Sequence, residues 1–159
     1  MPKPFRLGVS VALLVILLDQ VSKWLILSVV MTPPRRIPVV GGFFDLVLVM
    51  NRGVSFGMLG GAPGWIALAL IVFAILLSAV LCVWMWRADT GLLATALGLV
   101  IGGAVGNVVD RFRFGAVVDF LDFHIAGHHW PAFNVADSAI TVGVALLIVD
   151  SLKSKPSRP

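Results

Sequence analysis

Glutamate and tyrosine are absent from this 159-residue chain, cysteine occurs once, and charged residues make up only 13% of it. A single Cys82 excludes a disulfide framework and a thiolate metal cluster. It sits in an apolar run, where a small buried hydrophobe is expected. Without glutamate, all eight acidic residues are aspartates, so any carboxyl chemistry must be aspartate chemistry. The charged fraction is about half that of a soluble domain. With 59% hydrophobic residues and a mean hydropathy of +1.03, the chain is expected to be an integral membrane protein. The net charge of +4 is modest and its basic residues are scattered. They read as topology signals and headgroup contacts, and no nucleic-acid partner is expected. Internal repeats and low-complexity tracts are also missing.

What the chain has is long apolar runs. A helix needs about 20 apolar residues to cross the hydrocarbon core. Four runs qualify, at about 7–30, 64–86, 92–109 and 135–152. Lipid offers the backbone no hydrogen bonds, so these are helices. The first, preceded by Lys3 and Arg6, is too long for a signal-peptide core and lacks a small-residue cleavage site, so it reads as a retained span. Pro63 suits the first turn of the second helix, and Trp65, Trp84 and Trp86 suit interfacial belts. The expectation is a single domain, 1–159: an all-α polytopic membrane protein of four transmembrane helices with a small extracytoplasmic β-sheet.

Lys3, Arg6, Arg87 and the basic tail share one side of any four-span arrangement. Positive charge in short loops and tails places that side, with both termini, in the cytoplasm. Segments 31–63 and 111–133 then face outward. In the first, Phe43-Phe44-Asp45-Leu46-Val47-Leu48-Val49-Met50 has strand composition, and Val54-Ser55-Phe56 reads as a returning strand. Such a sheet offers an edge to an extended peptide. The tail 153–159 is expected to be disordered.

Polar residues inside the apolar runs carry the functional signal, because a carboxylate at bilayer depth costs on the order of 2.5–3.5 kcal/mol. Asp19 and Lys23, four apart, share a helix face and read as a structural ion pair. Ala94, Gly98, Gly102, Gly106 and Asp110 form a ridge of four-residue steps that admits a close helix neighbour. Asn107, Asp110 and Arg111 crowd the end of that helix. Asp119 and Asp122 interrupt an apolar stretch that should lie at the interface, where desolvation raises a carboxyl pKa. Asn134 reads as an N-cap, and Asn134, Asp137, Ser138 and Thr141 form one stripe. Asp119 and Asp137 are therefore the two acids that topology brings to one depth. Two close acids share a proton, and one serves as base toward water while the other serves as acid. That is aspartic peptide hydrolysis.

Other chemistries fit less well. Asp119, Asp122, His124, His128 and His129 include metal-ligand types, but Gly127 and Pro131 argue against a regular helix there and no HExxH motif occurs, so no metal and no cofactor is expected. The histidines are expected among headgroups beside Trp130. Serine–lysine catalysis requires a neutral lysine, and Asp19 keeps Lys23 charged. A proton-coupled small membrane carrier using intramembrane aspartates is the rival from another class, although four spans are few and no inverted repeat is evident.

Five segments resemble the bacterial lipoprotein signal peptidases, the type II signal peptidases. They are Asp19-Gln20-Val21-Ser22-Lys23, Asn51-Arg52-Gly53-Val54-Ser55-Phe56, the run from Gly102 to Arg111, Val117-Val118-Asp119-Phe120 and Phe133-Asn134-Val135-Ala136-Asp137. The resemblance covers nearly the whole chain. It implies an aspartic endopeptidase of the inner membrane that removes signal peptides from diacylglyceryl-modified prolipoproteins, cutting before the lipidated cysteine. It implies a catalytic pair at Asp119 and Asp137, with Asn107, Asp110, Arg111 and Asn134 around it and Asn51 and Gly53 in an outer-loop motif. It further implies an outer-leaflet sheet, an active site at the periplasmic face, contact with membrane lipids and inhibition by a globomycin-type cyclic peptide. The enzyme is expected to act as a monomer.

Overall fold

Small residues at every fourth position of the third apolar run decide which helix stands at the centre. Residues 2–53 and 64–153 are described by a computed structural model. Its helices are α1 (Lys3–Leu25), α2 (Gly64–Trp86), α3 (Gly91–Phe114) and α4 (Val135–Lys153), and a π-helical turn at Ile26–Val30 extends α1. All four are long and apolar enough to cross a membrane. Helix α3 packs against α1, α4 and α2. A Cβ at Gly98 would collide with the Gly8 carbonyl, and one at Gly102 would meet the Ala12 carbonyl at 2.7 Å. The ridge is thus the α1–α3 contact, where small side chains let two backbones touch. Thr90 caps α3 by accepting the Leu93 N–H at 3.0 Å. Gly115, at φ 66°, ends it with its N–H on the Arg111 carbonyl.

The third helix is longer than expected. It runs through Phe114, so Arg111 stands in its last turn beside Asn107 and Asp110, as expected, and the outer segment starts later than residue 111. Helix α2 meets the rest of the bundle mainly along α3, and Trp65, Trp84 and Trp86 are exposed on it. Cys82 is also exposed. The expected burial was wrong because the run is apolar all round, and such a helix gives no pattern that separates its lipid face from its protein face.

Strands β1 (Ile37–Val40), β2 (Phe44–Asn51), β3 (Val117–Ile125) and β4 (His128–His129) form an antiparallel sheet in that order. The expected β2 is present, shifted by one residue. The expected returning strand at Val54-Ser55-Phe56 and the tail beyond residue 153 lie outside the described residues. The partners of β2 are β1 and β3. In β3, Val118 and Met50 stand opposite each other, as do Asp119 and Val49. The stretch expected to dip at the interface is therefore the strand that joins sheet to bundle. Ile26, Met31 and Phe120 seal that junction, while Phe5, Leu81, Met85, Leu97 and Val100 fill the opposite end of the bundle.

Candidate active site

The side chains that matter stand where α1, α3, α4 and β3 meet. Alternation along β3 sends Asp119 and Asp122 to opposite faces of the sheet. Asp122 accepts a hydrogen bond from His129 at 2.9 Å. Asp45 pairs with Arg36 and lies 3.2 Å from His124. Two of the histidines expected among headgroups, His124 and His129, pair with sheet carboxylates. Among the described residues, no group of three or more candidate ligands stands together as a metal site requires.

Asp119 is 1% exposed and accepts two amide donors: Asn51 Nδ2 at 2.9 Å and Asn134 Nδ2 at 2.7 Å. Burial pushes its carboxyl up to about 6; the nearby Asp137 charge adds to this, while the Asn51 and Asn134 hydrogen bonds work against it. The Asn51 amide is held in turn, because its oxygen accepts the Gly53 N–H at 3.1 Å. Asn51 and Gly53, expected in a loop, thus form the end of β2 and a tight turn beside the acid.

Helix α4 begins with a capping box. Asn134 Oδ1 accepts the Asp137 N–H at 2.9 Å, and Asp137 Oδ2 accepts the Asn134 N–H at 3.3 Å. The other Asp137 oxygen accepts Asn107 Nδ2 at 2.8 Å. Ser138 and Thr141 donate back to carbonyls one turn earlier.

Below this pair lies a second polar cluster. Lys23 Nζ stands 2.8 Å from Asp19, 2.8 Å from Asp110 and 3.1 Å from Asn107 Oδ1. Asp19 also accepts the Ala136 N–H at 2.9 Å. Asp110 accepts the Val118 N–H at 3.1 Å. The expected Asp19–Lys23 pair is therefore part of a three-helix junction. Gln20 was missed as a member: its amide nitrogen reaches Asp19, Asp110 and the Gly106 carbonyl. Its signal was available, since an amide inside an apolar span needs partners as an acid does.

The expected peptide-pairing edge is not free where β3 faces the bundle. The Val118 N–H goes to Asp110 and its carbonyl to Asn134 Nδ2, while Phe120 and Leu121 donate to the Phe133 carbonyl. In front of the two acids a cavity of about 740 Å³ opens, lined by Asn51, Gly53, Asn107, Arg111, Asp119 and Asp137 on its polar side and by Leu70, Val117, Ile140 and Val142 on its apolar side. Asp110, Asp19 and Lys23 do not line it; they stand behind Asn107.

Four membrane-length helices, with a buried Asp119 and a half-buried Asp137 that meet one cavity, define a polytopic membrane protein with a polar site. The sequence profile of signal peptidase II, SPase II, matches residues 11–153. The lipoprotein signal peptidase of Cupriavidus necator is 49% identical over 149 residues, 92% of this chain and 83% of its own length. That of Burkholderia vietnamiensis is 48% identical over 148 residues, 92% and 87% of the two chains. A bacterial membrane enzyme solved by the in meso method at 2.3 Å superposes with a TM-score of 0.80 at 30% identity, over 96% of this chain and 91% of its own. The chain belongs to the signal peptidase II family, and so is a membrane protease.

Proposed function

We propose that this chain is an aspartic endopeptidase of the bacterial inner membrane that cuts diacylglyceryl-modified prolipoproteins just before the lipidated cysteine. The observation that carries the reading is the pair Asp119 and Asp137, both lining one cavity and both held by asparagine amides. A water between two such acids gives a proton to the ionised one as it attacks, while the protonated one donates to the peptide carbonyl; the proton taken from water then passes to the leaving nitrogen, and the collapsing gem-diol returns a proton to the acid that gave its own. Asp119, with its carboxyl near 6, is the proton carrier. Asp137, both of whose oxygens accept hydrogen bonds, is the base.

Asn107 is committed to Asp137 and Lys23 and is not free for substrate. Among the described residues Arg111 makes one long hydrogen bond, 3.4 Å to the Asn107 carbonyl, which leaves guanidinium donors for a substrate carbonyl or the ester neck of its lipid. The apolar wall at Leu70, Ile140 and Val142 suits acyl chains and a signal helix, and equally a cyclic peptide inhibitor of the globomycin type. Both termini are assigned to the cytoplasm, so the sheet and cavity face the periplasm. One chain of a single domain supplies every group named, which suits a monomer.

A proton carrier is disfavoured by the opposite end of the bundle. There Phe5, Leu81, Met85, Leu97 and Val100 pack as one apolar cluster, whereas a relay needs polar steps across the whole bilayer. The deciding experiment incubates the purified chain with a diacylglyceryl-modified precursor in detergent. A shortened product on a gel is expected, with no proton flux in sealed vesicles. Flux without cleavage overturns the reading.

A further inference from the structure

Lys23 is 2% exposed and has no contact with the cavity, yet its position constrains the site. An ammonium only donates; Lys23 donates to Asp19 and to Asn107 Oδ1 and forms an ion pair with Asp110 at 2.8 Å. Asn107 Oδ1 accepts a second hydrogen bond from Asn134 Nδ2 at 3.2 Å. The Asn134 amide is itself fixed, because its oxygen faces a backbone N–H, that of Asp137. Asn107 therefore has one orientation open to it. Its oxygen faces two donors and its NH2 faces Asp137 Oδ1 at 2.8 Å. Turned over, the amide would put its NH2 against an ammonium and another NH2, and its oxygen against a carboxylate.

We infer that Lys23 is a positioning residue for the reaction: through Asn107 it aims a hydrogen-bond donor at Asp137 and so holds that carboxylate ready as the base. The inference rests on the aspartic reading above. The charges facing Asp137 and its partners come from every neighbouring element: Asp119 on β3, Arg111 and Asp110 on α3, and Lys23 and Asp19 on α1. A fair test must keep their sum. Lys23→Gln combined with Asp19→Asn does so: one cation and two acids become one acid, a net −1 in both cases.

The double variant is expected to lose about 10- to 100-fold in kcat, the worth of a hydrogen bond to a charged group, with KM within about twofold of the parent. Asn107→Ala alone should lose a similar factor. Adding Asn107→Ala to the double variant should cost less than about threefold more, because residues acting through one contact are not additive. Unchanged kcat in the folded double variant overturns the inference, as do losses that multiply. If that variant does not fold, neutron diffraction on the perdeuterated parent decides. Two deuterons are expected on the Asn107 side-chain atom facing Asp137, and deuterons on the atom facing Lys23 overturn the inference. Failure of the parent to cleave the lipidated precursor would instead remove the aspartic reading itself.

Discussion

Asp119 and Asp137 are framed by one side chain: Asn134 donates to Asp119 at 2.7 Å and accepts the backbone N–H of Asp137 at 2.9 Å. The same residue starts α4, receives nothing from solvent at 0% exposure, and supports the β3 edge at the Val118 carbonyl. Helix cap and acid spacing are thus one structural element. Asn134→Ser separates the two roles. Serine still caps, but it is too short to reach Asp119. Helix α4 should still form and cleavage should fall roughly 10- to 100-fold, the worth of one hydrogen bond to a charged group. Full activity in the serine variant would mean that the cap alone matters.

Asp119→Asn and Asp137→Asn should each abolish cleavage, while the protein inserts and stays folded. An amide carries no exchangeable acid proton, so neither half of the proton transfer survives. The measurement is processing of the lipidated precursor beside a circular dichroism spectrum. Processing by either variant at more than about a hundredth of the parent rate contradicts the pair, since general acid–base catalysis contributes typically 10²–10⁴-fold.

Much of this architecture could be read from the chain. Apolar length alone locates four helices, and Asn134 before a polar stripe announces both a helix start and the face that lines the cavity. The four-residue ridge foretells the α1–α3 contact. Other features are not local. Strand β3 carries two aspartates, and nothing in its own sequence shows that β2 stands beside it. The depth of Asp110 is hidden for the same reason: its partners Lys23 and Val118 come from α1 and β3. Cys82 was misplaced because α2 is apolar on every side, so periodicity carries no directional information there.

The pH dependence follows from Asp119. Its carboxyl is raised to about 6, so the protonated form needed as acid is present below that pH and lost above it. The basic limb of kcat/KM, which reports the free enzyme, should therefore fall near pH 6. Bound substrate excludes water, which raises a carboxyl further, so the basic limb of kcat should lie at higher pH. The opposite order, or a limb near pH 4, would assign the acid elsewhere.

Lys23 keeps one acid if the other is removed. Asp19→Asn leaves it 2.8 Å from Asp110, so this substitution costs less than an isolated ion pair would suggest. Lys23→Met leaves two buried acids without a cation, and an uncompensated buried charge costs about 3–5 kcal/mol. Thermal unfolding in one detergent should rank the parent first, Asp19→Asn next and Lys23→Met well below. Equal melting of the two variants would show that Asp110 does not share the lysine.

The glycine ridge makes the last prediction, and it separates packing from chemistry. A Cβ at Gly102 would lie 2.7 Å from the Ala12 carbonyl and 2.8 Å from Val15 Cβ, and one at Gly106 would lie 2.6 Å from Asp19 Oδ2. At Gly102 the obstacle is backbone, which moves only if α1 moves as a body. At Gly106 the obstacle is a carboxylate already bound to Lys23 and the Ala136 N–H. Gly41 meets nothing within 4 Å and serves as the control. Gly102→Ala should cost about 1–3 kcal/mol through overpacking and lower the melting temperature with little change in kcat of the surviving folded fraction. Gly106→Ala should lower both, because displacing Asp19 disturbs the lysine that aims Asn107. Gly41→Ala should change neither. If Gly102→Ala melts with the control, α1 and α3 do not touch through this ridge, and the depth of Asp19 and Lys23 beside the acids must be set by another contact.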